Sequence, residues 1–142
     1  MSNTAGSIEI IEAFQEVPAN MRLELLLEYA DSLPGLPARY KDHPELLERV
    51  EECQSPVYLF VELDASNIVS IFLTAPDEAP TTKGFASLLQ YSLDQQPAEA
   101  VLSFGDEFVD GLGITDLVSP LRIRGLQGML SRIKRQVQEK LI

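Results

Sequence analysis

The chain has one cysteine, Cys53, one histidine, His43, and no tryptophan. A single thiol excludes an internal disulfide. One Cys and one His also fall short of the ligand set of a structural zinc site or of a cluster held by one chain. Chemistry at Cys53 is therefore restricted to that of one nucleophilic or sulfur-carrying thiolate. Bases are scarce too, 11 Lys and Arg against 22 Asp and Glu, for a net charge of −11. Phosphate recognition needs clustered cations, so this balance argues against a nucleic-acid partner. No stretch approaches the roughly 18 apolar residues that span a bilayer, which argues against a membrane partner. Residues 1–7 lack the basic and apolar regions of a secretory signal. These absences lead us to expect a reducing, cytoplasmic location.

What is present suits a globular protein. With 45 % hydrophobic residues in 142, the chain is of a size to bury one core, and we expect a single domain over 1–142 with about the first seven residues flexible. The bases are unevenly placed: Arg122, Arg124, Arg132, Lys134, Arg135 and Lys140 cluster near the C-terminus, whereas Lys83 is the only base in residues 54–118. Two readings stand: complementing a helix macrodipole, or forming a docking face for an acidic partner.

Hydrophobic spacing predicts a helix through Ile8, Ile10, Ile11 and Phe14, and a second from Asn20, as N-cap, to Ser32, broken by the Pro-Gly-Leu-Pro that follows Leu33. Residues 41–45 read as polar and extended, ahead of a short strand over 47–51. The runs 56–63 and 68–74 read as strands joined by the turn Asp64-Ala65-Ser66-Asn67, a hairpin signal. Val57, Leu59 and Val61 would share one face, with Tyr58, Phe60 and Glu62 on the other. Thr81 or Thr82 would cap a helix over 83–93, and Pro97 would start a brief turn over 98–102. A Gly-rich connection through Phe104, Phe108, Leu112 and Ile114 precedes a last helix with Ser119 as N-cap and Pro120 as its first residue. The fold class is α+β: a small antiparallel sheet of about three strands with several helices over it.

A lone cysteine is ordinarily a small buried hydrophobe. Here the polar sequence Val50-Glu51-Glu52-Cys53-Gln54-Ser55-Pro56 places the sulfur at a turn between strands instead. Glu51 and Glu52 disfavour a thiolate and Arg49 is the only nearby base, so Cys53 is not a self-activated nucleophile. A Cys–His dyad with His43 is disfavoured by the proline-bounded loop that carries the imidazole.

Residues 49–58, Arg-Val-Glu-Glu-Cys-Gln-Ser-Pro-Val-Tyr, resemble the cysteine loop of the SufE family, the sulfur acceptors of the SUF iron–sulfur assembly system. Two further blocks agree in order and spacing: Lys83-Gly84-Phe85-Ala86, and Gly113-Ile114 with Leu117 through Gly125-Leu126-Gln127-Gly128-Met129. Together they span about residues 20–138. The resemblance implies a SufE/IscU-like fold and an accessory protein rather than an enzyme. It implies that Cys53 takes sulfane sulfur as a persulfide from a cysteine desulfurase of the SufS type, stimulates that enzyme and passes sulfur to iron–sulfur assembly, with a SUF scaffold complex as a further partner. Pyridoxal phosphate would belong to the desulfurase, leaving this chain with no cofactor and no metal. Glu52, Gln54, Ser55, Gly84 and Arg122 carry over as cysteine-loop or partner contacts. Gly84 would allow close helix–loop approach, and Arg122 would contact the loop or the partner. Many relatives have glycine at the position of Glu52, so a positive φ there would strain this chain. The alternative is a non-catalytic binding or scaffold module of the same fold.

Overall fold

The computed structural model describes residues 3–141. Its elements run α1 (Ala5–Glu16), α2 (Arg22–Ala30), α3 (Ala38–Lys41), β1 (Glu48–Arg49), β2 (Tyr58–Leu63), β3 (Val69–Thr74), α4 (Pro80–Leu93), α5 (Ala98–Ser103), α6 (Glu107–Leu112) and α7 (Pro120–Lys140). The class is α+β, with an antiparallel three-stranded sheet in the order β1-β2-β3. Leu59 pairs with Leu73 and Val61 with Ile71, so these side chains share one face of the sheet. That face is fully buried beneath α4 and α7. Helix α4 lies at the centre, touching α1, α2, β3 and α7, and buries Phe85, Leu88, Leu89 and Leu93 completely. Each such side chain contributes about 1.5–3 kcal/mol. On the opposite face, Tyr40 from α3 packs on Phe60 and Phe72 at ring separations of 5.2 and 4.9 Å.

Both open edges of the central strand pair are closed by side chains. At Val61 the backbone N–H donates to Gln136 Oε1 at 2.8 Å and the carbonyl accepts from Lys140 Nζ, both from α7. Opposite, the Ile71 N–H donates to Asp94 Oδ1 at 2.8 Å and its carbonyl accepts from Gln90 Nε2 at 2.9 Å. Side-chain pairing of this kind removes the template that an exposed strand edge offers to another chain.

Several local expectations need correction. Asn20 does not cap α2; residues 19–21 form a 3₁₀ turn and Met21 precedes the helix without a side-chain cap. Thr81 and Thr82 lie inside α4, which starts at Pro80 because proline tolerates the first helical position. The stretch expected to be extended before the first strand holds a 3₁₀ turn, Pro44–Leu46, and α3 just ahead of it. The Gly-rich connection contains α6, anchored by Phe108 and Leu112. Thr4 and Ser7 are buried in a reciprocal capping box, and Thr4 Oγ1 donates to the Ser92 carbonyl at 2.7 Å, so the start of α1 is fastened rather than loose. Met1 and Ser2, also expected to be flexible, lie outside the described residues. Ser119 and Pro120 open α7 as read, with the Arg122 N–H donating to Ser119 Oγ.

Candidate functional site

Strands β1 and β2 are joined by residues 50–57. The loop is closed at its base by Val50 N–H donating to the Val57 carbonyl at 2.8 Å, with both residues fully buried. Cys53 N–H then donates to the Val50 carbonyl at 3.1 Å, turning the chain back so that the thiol faces α7. Only 7 % of Cys53 is exposed. Its Sγ rests on the helix backbone where there is no side chain in the way, since a Cβ on Gly125 would come within 3.0 Å of it. One turn further along the same helix face, a Cβ on Gly128 would come within 2.7 Å of the Cβ, Cγ and Cδ of Glu52. Gly125 and Gly128 thus form a groove that seats two consecutive side chains of the loop, a spacing that the helical repeat provides.

Around the sulfur is a cavity of about 50 Å³ lined by Glu52, Cys53, Gln54, Ser55, Thr82, Leu121, Arg122 and Gly125. This is on the order of one or two waters in volume, room for an added atom and not for a substrate. Arg122 also lines an adjoining, more open hollow of about 240 Å³ with Leu23, Leu117 and Val118. Its side chain is exposed, and no hydrogen bond or ion pair among the described residues holds it. The site therefore brings together Cys53, Glu52, Gln54, Ser55 and Arg122. Gly84 is elsewhere: its missing side chain admits the Leu26 carbonyl and side chain, so it serves the contact of α4 with α2, not helix–loop approach. Glu52 is not strained. Asn67 and Gln95 are the non-glycine residues with positive φ among those described.

Among the cations of α7, Arg132 reaches the loop at Glu52 and β1 at Glu48, whereas Arg135 reaches β1 and its own helix. Arg132 donates from Nε to Glu52 Oε1 at 2.9 Å and from Nη1 to Glu48 Oε2 at 2.7 Å. Arg135 also pairs with Glu48 and Glu139, and Gln136 donates to Glu48 Oε1 at 2.8 Å. Only Lys140 sits in the last turn. The Arg132 hydrogen bond holds the Glu52 carboxyl below the usual glutamate range. At Cys53, burial first and then the charge of Glu52 push the thiol above its ordinary value, against weaker opposing pulls from Arg132 and Arg49. The resting sulfur is a neutral thiol at neutral pH, a poor nucleophile until it leaves this environment. His43 does not line the cavity; it pairs with Glu45 on the surface at 3.1 Å. No group of three or more metal-ligating side chains occurs among the described residues. None of the described helices is long and apolar enough to cross a membrane.

Five contributors to this site were missed in the sequence: Thr82, Leu121, Gly125, Gly128 and Arg132. The glycines carried a readable signal, two helix-interior glycines three apart, which cost helix stability unless something approaches closely. Arg132 carried none, because its partners are 80 and 84 positions away.

The described residues thus form an α+β domain in which one thiol sits in a small polar cavity. A family model described as SufE, Fe-S metabolism associated domain, matches residues 8–137, and the chain belongs to that family. It is 46 % identical over 131 residues to a SufE-like protein of Mycobacterium tuberculosis, covering 92 % of this chain and 90 % of that one. It is 29 % identical over 129 residues to SufE-like protein 1, chloroplastic/mitochondrial, of Arabidopsis thaliana, covering 90 % of this chain and 33 % of that protein. The solution structure of a hypothetical protein from Thermus thermophilus superposes with a TM-score of 0.82 at 36 % identity, over 96 % of each chain.

Proposed function

We propose that Cys53 accepts sulfane sulfur from a PLP-dependent cysteine desulfurase of the SufS type, carries it as a persulfide, stimulates that enzyme and delivers the sulfur to iron–sulfur cluster assembly, with a SUF scaffold complex as recipient. The observation that carries this reading is the position of the chain's single thiol, buried in a polar loop beside a cavity of about 50 Å³ in a SufE-family domain. In the transfer step, the Cys53 thiolate attacks the outer sulfur of the donor's persulfide. A new S–S bond forms at Cys53 as the donor's S–S bond breaks, and the electron pair leaves on the donor's inner sulfur, which takes up the proton that Cys53 gave up. Bonds and oxidation state are exchanged without an external oxidant, as in thiol–disulfide exchange.

Three features favour carriage over turnover. The chain has no second thiol to resolve a persulfide into an internal disulfide. The cavity has room for one more atom at Sγ. The thiol's raised proton affinity suppresses side reactions at rest. The same reading places the protein in a reducing, cytoplasmic environment. Incubation with a SufS-type desulfurase and free cysteine should add the mass of one sulfur atom to the peptide containing Cys53, reversed by dithiothreitol. An unmodified Cys53 after full turnover of a competent desulfurase would favour instead a non-catalytic binding or scaffold module.

A further inference from the structure

Persulfide exchange needs a second sulfur in line with Sγ, and the small cavity beside Cys53 cannot admit another protein's thiol. The loop must therefore leave α7 for the proposed transfer to occur. The contacts that resist this can be named. The Cys53 N–H to Val50 carbonyl bond, at 3.1 Å, ties the thiol to the buried base of its own loop and not to α7. Gln54 and Ser55 make no side-chain hydrogen bond among the described residues. The one hydrogen bond among the described residues that ties residues 51–56 to α7 is that donated by Arg132 Nε to Glu52 Oε1, at 2.9 Å. Its cationic end is fixed independently, because Arg132 also holds Glu48 on β1. Its anionic end is seated against Gly128, where any side chain would displace it.

We propose that the Glu52–Arg132 ion pair in the Gly128 groove is a latch: closed, it holds Cys53 against Gly125 and out of reach, and its opening admits the thiol that gives or takes sulfur. Glu52 is then a positioning residue, acting on the sulfur through the loop. This rests on the transfer reading for its purpose, but its geometry is testable without a desulfurase.

The test is the rate constant for alkylation of Cys53 by iodoacetamide, measured on the folded full-length chain across the thiol titration. Glu52 influences the sulfur in two ways, by charge and by fastening, and the profile separates them. Loss of the charge alone lowers the midpoint and leaves the high-pH plateau where it was. Loss of the latch raises the plateau, by up to about fivefold for a pair that is partly exposed. Glu52→Gln and Arg132→Gln should both raise it, and the double variant should add little beyond either. Gly128→Ala, which improves the helix while evicting Glu52, should raise it too, and decides the matter if the charge variants fail to fold. Plateaus equal to the unaltered protein's in the folded variants would overturn the latch. Since no desulfurase takes part, that result leaves sulfur transfer standing, and an absent persulfide leaves the latch standing.

Discussion

Two loops flank β2, and their side chains hold them in different ways. The turn into β3 fixes itself: Asp64 Oδ1 accepts from the N–H groups of Ser66 at 2.8 Å and Ile68 at 3.0 Å, and Asn67 takes the left-handed conformation with φ 61°. Those side-chain contacts span four residues or fewer, and one backbone bond from outside, the Ala98 N–H to the Asn67 carbonyl at 2.9 Å, adds to them. The cysteine loop into β2 is fastened from outside, by an arginine 80 positions away and by two glycines of α7. A turn stabilised by its own side chains cannot be loosened without being remade. A loop tied down by a distant partner can be released whole while its internal bonds survive, which is what a carrier of a protected sulfur requires.

The contrast is broken most severely at the sulfur itself. Cys53→Ser should abolish sulfur uptake in the persulfide assay and the stimulation of the desulfurase, while the thermal melt changes little, because a small side chain of similar volume replaces the thiol in a polar cavity. A Cys53→Ser protein that still stimulated fully would move the function away from this loop and onto the rest of the surface.

The hairpin turn should behave in the reverse manner. Asn67→Ala places a residue without a stabilising side chain at positive φ and should cost about 1 kcal/mol of stability, read by urea denaturation. The Cys53 alkylation profile should not move, since the turn shares no partner with the cysteine loop. A changed plateau in Asn67→Ala would show that the two loops open together, and that fastening from outside is not what distinguishes them.

The same difference decides what could be read from the sequence. Asp64-Ala65-Ser66-Asn67 announces its turn because the residues that make it are adjacent, and β2, β3 and the start of α7 were legible for the same reason. The three-strand α+β arrangement followed from them. Cys53 could be placed at a turn between strands, but the fastening of that turn could not, because Arg132 and Glu52 meet only once α7 has packed across the sheet. Gly84 shows the same limit from the other side. Its place among the blocks of family likeness suggests a role at the loop, and packing instead gives it to Leu26. Helix α6 was hidden by Gly111 within it and Gly113 at its C-terminal cap, although Phe108 and Leu112 supply the buried side that holds it.

The smallest expected effect concerns acid. Glu48 and Glu52 both have carboxyls held below the ordinary glutamate range. At Glu52 the cause is first the Arg132 hydrogen bond; at Glu48 burial pulls upward, but hydrogen bonds from Arg135, Gln136 and Arg132 prevail. A group whose folded value is depressed contributes stability above its unfolded value and loses it as pH falls through the folded one. The stability deficit of Glu52→Gln relative to the unaltered protein should therefore be greatest near neutrality and fade as pH falls below the ordinary glutamate range. With the Glu52 side chain 35 % exposed, the deficit should stay below about 1 kcal/mol. Glu48 titrates in both proteins and shares Arg132 with Glu52, so the difference reads the coupled pair. The deficit of Asn67→Ala involves no titrating group and should persist over the same range. Two urea series against pH thus separate an electrostatic fastening from a conformational one. If the Glu52→Gln deficit were as flat as that of Asn67→Ala, Glu52 would be holding its loop by packing against Gly128 alone.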